Sequence, residues 1–509
     1  MSASAVTISR NAVVADKRDQ VWRWMLVGLG LALRFPLLFA PLNYASDTWR
    51  QADTASIAHH FLVNGFRLFY PQIYWGGIGP GYVEAEFQLY PFVVALFYAV
   101  LGEQLWLGRL VSLLFTLPAF ALFYPLARRA VGSRAALWAL AFFVISPLYL
   151  RYSVAYMPEA AVMCFYVAAL YFFQRWLDEE RRLTLWLAAG STALAILVKP
   201  TSIHIGLIFA WLALARFGWP VVKRWPVWIA GLIALLPGAA WYLHARNLYL
   251  RYGNTFGILS GGDSKFGNFD YWIGTHFYLS AAALETSWVF GGAAVGLFAL
   301  GLFLSLRRRA TPLLVSSVVT IFVYYLIVAR YAQEEWGVQY HVFAVPFAAL
   351  GVGLGFEWLL AQIQPKLKAW VAGGAALVVL VGPTYFYQDL LRPDGAALTE
   401  CAAQVKALVP ADARIIVSST SLSKESGVPN NYQEPMIFFY SDRYGWSLPA
   451  DWHAPENVEP LRQAGAGYFV IYSAEQYENS PELARYLESR AEQIGPGVEA
   501  GCGIYRFNP

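Results

Sequence analysis

The sequence predicts a polytopic α-helical membrane protein of about 11–13 transmembrane helices, followed by a small C-terminal α/β domain outside the bilayer. Three observations carry that expectation. Apolar residues make up 58% of the 509-residue chain and charged residues 14%, against about 45–50% and about 25% in soluble domains. Apolar runs of about 15–21 residues recur from Val21 to about Leu390, close to the ~20 residues a helix needs to cross hydrocarbon. These runs are continuous and not alternating, which favours helices over a closed barrel, the other structure that satisfies its backbone in lipid. A net charge of +4 is small and says little about nucleic acid. Membrane lipids are the expected partner, and no nucleic acid is.

The elements follow in order. The polar stretch Met1–Gln20 precedes the run 21–40 without a small-residue cleavage site, so this run reads as a retained anchor. Further runs lie near 87–102, 110–127, 134–149, 160–176, 184–198, 201–217, 226–245, 286–306, 311–329, 341–360 and 370–388. Basic clusters mark cytoplasmic turns: Lys17-Arg18, Arg175 with Arg181-Arg182, Lys223-Arg224, Arg307-Arg308-Arg309, and Lys366 with Lys368. From residue 175 onward they alternate with the runs. That places 247–285, 330–340 and everything beyond about 390 on the opposite side, together with the loop 41–86. In the first third the same cues conflict, because an inside N-terminus and an outside C-terminus require an odd number of crossings.

The chain thus divides into a membrane module, 1–390, with large loops at 41–86 and 247–285, and a domain at 391–509. In that domain the pattern predicts helices at Glu400–Leu408 and Asn457–Ala464 and a long charged helix at Ser480–Ile494. It predicts strands at Arg414–Ser418, Tyr468–Tyr472 and Gly503–Phe507, with a further element at Met436–Tyr440. Cys401 and Cys502 bracket the domain. An oxidising compartment would join them; the alternative is two free thiols.

Charges beside a bilayer are costly, so those at the ends of runs are candidates for function. Ser46-Asp47 is a helix-start signal, and a short surface helix from Thr48 to about Asn64 would bring Asp47, Arg50, Gln51 and Thr54 to one face. The competing structural reading makes Asp47 a cap and Arg50 its partner. The segment Phe69–Tyr82, with Arg67 before it, is rich in aromatic residues and glycine, and Glu84 and Glu86 follow. Rings such as Tyr74 and Tyr82 beside carboxylates suit sugar binding, or simply anchor the loop at the interface. Arg151–Glu159 lies between two runs and includes Tyr156; Pro158-Glu159 also reads as a helix start. Lys199-Pro200 separates two short runs, where the lysine would meet a phosphate or snorkel to headgroups. Gln339-Tyr340-His341 opens a late run. No metal-ligand spacing, phosphate-binding glycine loop or serine-nucleophile elbow is present.

Taken in order, these features resemble bacterial C-type glycosyltransferases of the protein O-mannosyltransferase and lipid A aminoarabinose transferase superfamily. One run leads to a large loop with an acid near its start. The loop ends in Glu86-Phe87-Gln88-Leu89-Tyr90-Pro91. Leu107-Gly108-Arg109-Leu110-Val111-Ser112, Ala127–Gly132, Arg151–Glu159, Lys199, Pro237 with Trp241-Tyr242, and Tyr340-His341 with Pro346 follow. The likeness spans roughly residues 20–390. It departs where the superfamily often shows two adjacent acids, since Asp47 and Asp53 are separated here.

The resemblance implies a polyprenyl-phosphate sugar as donor, used on the outer face of a bacterial cytoplasmic membrane. The acceptor would be a hydroxyl on protein, lipid or glycan. It implies no cofactor and no metal, and inversion at the anomeric carbon. Asp47 or Asp53 would be the base, with Glu159 orienting the acceptor or the sugar. Arg50, Arg67, Arg151 and Lys199 would hold the phosphate. Tyr74, Tyr82, Glu84, Glu86, Tyr156, Tyr340 and His341 would contact sugar or acceptor. The competing function is a transporter of lipid-linked sugars, which predicts inverted repeats and broken helices at the bilayer midplane.

Overall fold

Eleven of the twelve apolar runs are helical in the computed structural model, and the twelfth, 286–306, is broken between a π turn at Glu285–Val289 and the helix Ala294–Arg308. The structure describes residues 17–42, 47–260, 266–308, 311–392, 395–422 and 434–508, the helix Pro365–Leu390 partly as backbone alone. The N-terminal stretch to residue 16, Ser46 of the helix-start signal, and Arg309 lie outside the described residues.

Among the described residues six helices are long and apolar enough to cross a membrane: Lys17–Leu38, Leu105–Val131, Glu159–Glu179, Pro200–Phe217, Trp225–Tyr252 and Glu335–Gln362. A seventh crossing is available if Thr275–Val289 and Ala294–Arg308, which meet at 103°, act as one span. Leu89–Leu101, Ser133–Ile145, Arg182–Val198 and Pro312–Ile327 are shorter apolar helices. Two of the three runs with conflicting topology cues thus have only 13 residues each, about 20 Å of helix against about 30 Å of hydrocarbon.

The helices pack through small residues where their backbones approach. On Val345–Gln362, a Cβ added at Gly355 would lie 2.1 Å from the Leu297 carbonyl oxygen. This is the small-residue contact that lets membrane helices associate closely.

The large loops gather at one end of this bundle. Strand β1 (Val83–Glu84) of the first loop pairs in parallel with β2 (Asn254–Thr255) of the second. The C-terminal domain adds β3 (Arg414–Ser418), β4 (Tyr444–Leu448), β5 (Ala466–Ile471), β6 (Ala491–Gln493) and β7 (Gly503–Phe507), in the order β4-β3-β5-β7-β6. The β3 strand is parallel to β4 and β5, while β7 runs antiparallel to β5 and β6. Two departures from the sequence reading have local causes. The charged helix stops at Arg490 because Ala491–Gln493 pairs with β7. The element at Met436 is a short helix, Met436–Ser441, and the strand missed by the pattern, β4, follows it with Gly445 in its middle.

A Cys401–Cys502 disulfide ties the first helix of the domain, Ala396–Leu408, to the turn before β7. The domain grips the first loop. Gly77 N–H donates to the Gly445 carbonyl (2.8 Å), and Gly445 N–H to that of Tyr74 (3.1 Å). Apolar side chains of both, including Ile73, Trp75, Ile415 and Phe438, form one buried cluster.

Candidate active site

The helix that opens the first loop runs Thr48–Val63 and is mostly buried beneath its neighbours, not laid open at a surface. Asp47 holds the N-cap position with a left-handed backbone (φ 52°), yet its side chain caps nothing. Its Oδ2 accepts from Arg151 Nη2 and from Tyr152 Oη, each at 2.8 Å. A non-glycine residue in this region is uncommon, and two strong bonds to one carboxylate oxygen give the conformation a reason to persist.

One helical turn on, Arg50 donates to Glu86 at 3.0 Å and lies 3.9 Å from Glu159. Burial alone would lower the Arg50 pKa, but those two carboxylates carry it above its ordinary value. Glu159 is fully buried at the start of the helix Glu159–Glu179. Its Oε1 also accepts from Lys199 Nζ at 3.1 Å, and its Oε2 has no hydrogen-bond partner among the described residues. Lys199 further approaches the Gln339 carbonyl (3.4 Å) and lies over the Tyr340 ring (4.9 Å). Arg151 lies over Trp288 (5.0 Å). Three cations and three carboxylates therefore form two neighbouring groups, Asp47 with Arg151 and Arg50 with Glu86, Glu159 and Lys199, joined through the start of the Thr48–Val63 helix and the Arg151–Glu159 segment. Arginine forks and an ammonium at such spacing suit an anionic, phosphate-bearing ligand.

The scaffold beneath this cluster uses the residues that carried the resemblance. Arg109 donates to the carbonyls of Ala40 (3.0 Å), Pro41 (2.8 Å) and Val154 (3.4 Å), tying the start of the loop to the Arg151–Glu159 segment. Ser112 Oγ donates to the Ala155 carbonyl (2.6 Å). Gly108 leaves room for the Tyr156 ring, which a Cβ would meet at 1.9 Å. Gln51 receives the Tyr156 N–H at 3.0 Å. Trp241 Nε1–H donates to the Ala85 carbonyl (3.1 Å) and Tyr242 Oη–H to those of Ile196 (3.0 Å) and Leu197 (2.9 Å), so one helix positions both Glu86 and Lys199.

Other candidates lie elsewhere. Asp53 is buried under the loop, accepting from Trp75 Nε1 at 2.9 Å. Burial pushes its carboxyl pKa well above the ordinary value, with the Trp75 bond and Arg50 opposing. That environment favours the neutral acid over an ionised base.

Arg67 is exposed, near Tyr82 Oη (3.4 Å) and outside the cluster. Tyr74 donates to Asp442 (2.9 Å) at the contact with the C-terminal domain. Glu84 is a loop clamp, accepting from Thr255 Oγ1 (2.6 Å) and from the N–H groups of Leu259 (2.9 Å) and Ser260 (3.1 Å). Tyr156 is buried against Tyr98, their hydroxyls 2.9 Å apart. His341 Nδ1 lies 2.7 Å from Glu285. Tyr152, Glu285 and Trp288 were not singled out in the sequence. Glu285 at the edge of an apolar run, with Trp288 after it, was the available signal. Among the described residues no group of three or more His, Cys, Asp or Glu converges as a metal site.

Residues 88–244 match the family model described as dolichyl-phosphate-mannose-protein mannosyltransferase. No curated protein matches the sequence significantly. Among solved structures the chain is similar to ArnT from Cupriavidus metallidurans bound to undecaprenyl phosphate (15% identity, TM-score 0.65). It is also similar to the apo state of that protein (14%, 0.67); each comparison covers 96% of this chain and 98% of the other. The oligosaccharyltransferase AglB from Archaeoglobus fulgidus, in complex with an inhibitory peptide and a dolichol-phosphate, aligns at 12% identity and TM-score 0.54, covering 96% of this chain and 74% of that one. A polytopic bundle with loops gathered at one end and a C-terminal α/β domain, matched end to end, identifies the chain as having the C-type glycosyltransferase fold, with the mannosyltransferase family pattern across its residues 88–244.

Proposed function

We propose that this protein transfers a sugar from a polyprenyl-phosphate donor to an acceptor hydroxyl on the outer face of a bacterial cytoplasmic membrane. The observation that carries the reading is the convergence of Arg50, Arg151 and Lys199 with Asp47, Glu86 and Glu159 at the loop end of the bundle. That similar folds hold undecaprenyl phosphate in ArnT and a dolichol-phosphate in AglB supports a lipid phosphate as the ligand of those cations.

The acceptor oxygen attacks the anomeric carbon as the bond from that carbon to the phosphate oxygen breaks. The electron pair leaves with the polyprenyl phosphate, whose charge the cations hold. Asp47 takes the acceptor proton, within hydrogen-bond reach once the hydroxyl displaces Tyr152. Asp53, held toward its neutral form, serves as a support for the loop. A single displacement inverts the anomeric carbon, and the three cations supply the charge stabilisation that a metal would otherwise provide. The large loops and the C-terminal domain lie on the extracytoplasmic side of the membrane in this reading.

Reconstitution with radiolabelled polyprenyl-phosphate sugars and candidate acceptors tests it. Asp47→Asn and Glu159→Gln should abolish transfer and Asp53→Asn should retain most of it; transfer surviving the first two changes refutes the site. The 103° break between Thr275–Val289 and Ala294–Arg308 favours a second reading, transport of lipid-linked sugars. Label that changes leaflet without reaching acceptor would establish that one instead.

A further inference from the structure

The break that interrupts Thr275–Arg308 contains a π-helical turn, Glu285–Val289, and left-handed glycines at Gly291 (φ 60°) and Gly292 (φ 79°). Single π turns inside helices recur at functional sites, because the extra residue re-aims side chains. Here the turn aims two. Glu285 faces the late run: its Oε1 accepts from Tyr325 Oη and from His341 Nδ1 (2.7 Å). Trp288, three residues on, lies beneath the Arg151 guanidinium, 5.0 Å from ring to Arg151 Cζ, and Arg151 in turn binds Asp47. The turn therefore joins the Asp47–Arg151 pair to the Tyr325–His341 pair.

The bonding of Glu285 is lopsided. Both donors converge on Oε1, while Oε2 accepts no hydrogen bond among the described residues, and the side chain keeps 18% of its surface exposed. His341 is fully buried and bridges two oxygens, Glu285 Oε1 and the Ala332 carbonyl (2.9 Å). It fixes the carboxylate at one oxygen and leaves the other accessible. An anchored carboxylate with one open oxygen, next to an indole and a phosphate-binding arginine, is suited to a ring that carries hydroxyls and is attached to a phosphate. The hydroxyls donate to Oε2, and the indole packs against apolar C–H faces.

We infer that Glu285 and Trp288 read the sugar of the donor, with His341 and Tyr325 as positioning residues for Glu285. This rests on the polyprenyl-phosphate donor reading and adds the part of the site that distinguishes one sugar from another.

The test is binding to purified full-length protein in lipid nanodiscs. The probes are undecaprenyl phosphate alone and the same lipid carrying mannose, glucose or arabinofuranose. Wild type should hold one sugar-bearing lipid more tightly than the bare lipid. Glu285→Gln should weaken that lipid about tenfold or more, the loss of a charged hydrogen bond, and leave bare-lipid affinity unchanged. Trp288→Leu should weaken the sugar-bearing lipid more than the bare lipid, whose loss reflects the ring's second contact, with Arg151. Glu285→Asp, which keeps the charge but withdraws it by one methylene, should also lose the preference and covers the case in which Glu285→Gln does not fold. Tyr325→Phe keeps the carboxylate and should retain part of the preference.

If the Glu285 variants lower both affinities alike, or leave the sugar preference intact, the inference falls and the donor reading stands. If wild type prefers none of the sugars over bare lipid, the inference falls in the same way. If wild type binds neither kind of lipid, the donor reading itself falls.

Discussion

Glu159 offers a measurement that separates what the charged cluster does for folding from what it does for chemistry. Its carboxylate is fully buried between Lys199 at 3.1 Å and Arg50 at 3.9 Å. Removing one partner of a buried pair strands the other charge at a cost of about 3–5 kcal/mol. The two cations would not suffer equally in Glu159→Gln. Arg50 keeps Glu86 at 3.0 Å. Lys199 keeps only the long contact to the Gln339 carbonyl at 3.4 Å and the Tyr340 ring. The penalty should therefore fall on Lys199, and Lys199→Met should remove most of it.

Glu159→Gln and Lys199→Met should each destabilise by about 3 kcal/mol or more, and the double variant by about 2–3 kcal/mol less than their sum, at the upper end of coupling for residues in contact. A polytopic protein commonly unfolds irreversibly, so the cycle is best read from unfolding rates at a fixed temperature in one detergent. Transfer activity should not follow stability: the double variant regains lifetime but stays inactive, since both cation and carboxylate are gone. Additivity within about 0.5 kcal/mol would show that the two residues do not act as a pair. Recovery of activity in the double variant would show that the pair is structural only.

Three further outcomes follow from other parts of the structure. Burial holds the folded-state pKa of Asp53 well above the ordinary carboxylate value, so the folded state holds that proton more tightly. Its contribution is fully present below about pH 4 and is lost as pH rises, by at most about 1.4 kcal/mol per pH unit, until the folded group ionises. Asp53→Asn should flatten the fall in stability that begins above about pH 4, and identical pH profiles for variant and wild type would refute the assignment. Gly108→Ala places a Cβ 1.9 Å from the Tyr156 ring. It should cost about 1–3 kcal/mol and depress transfer by shifting the Arg151–Glu159 segment, with thermal unfolding and activity as paired readouts; unchanged activity would separate that segment from the site. Cys401→Ser should abolish a mobility difference between reduced and non-reduced gels. It should also destabilise the C-terminal domain by about 2–5 kcal/mol, as loss of a bridge closing a separation of 101 residues.

What could be read from the sequence divides along a physical line. Lipid imposes a local condition, a long apolar run with its backbone bonded internally, and that condition is written in consecutive residues. Eleven of the twelve runs are accordingly helices, and 286–306 is helical on either side of a break. The short helix Thr48–Val63 was equally visible, because its start signal and lack of proline are local. The strands Arg414–Ser418 and Gly503–Phe507 appear at the bounds expected of them, whereas Tyr444–Leu448 was hidden by Gly445, which weakens a strand pattern. Pairings were not legible in this way. Arg50 meets Glu86 across 36 positions and Glu159 meets Lys199 across 40, and no local rule distinguishes those contacts from Arg67, an arginine of the same loop that the fold turns outward.

The aromatic loop shows why residue type alone misled. Tyr74, Tyr82 and Glu84 have the chemistry of a sugar site, but a loop that must carry both β1 and a C-terminal domain needs the same groups for contacts of its own. Tyr74 is spent on Asp442, and Glu84 on the turn after β2. The residues left in the cluster are those whose partners come from the membrane helices: Arg151 and Glu159 from one inter-helix segment, Lys199 from the next. Those helices fix the cations, and the loop delivers Asp47 and Arg50 to them. The C-terminal domain holds that loop through Gly445 and Tyr74. It follows that loosening the domain should lower transfer without touching a charged residue, by letting the Thr48–Val63 helix drift from Arg151. Replacing Trp446, whose Cε2 a Cβ at Gly77 would meet at 3.1 Å, by alanine tests this directly. Transfer should fall further than affinity for undecaprenyl phosphate, since Arg50 moves with the helix while Arg151 and Lys199 stay in place. A variant with full activity would show that the loop keeps its place unaided.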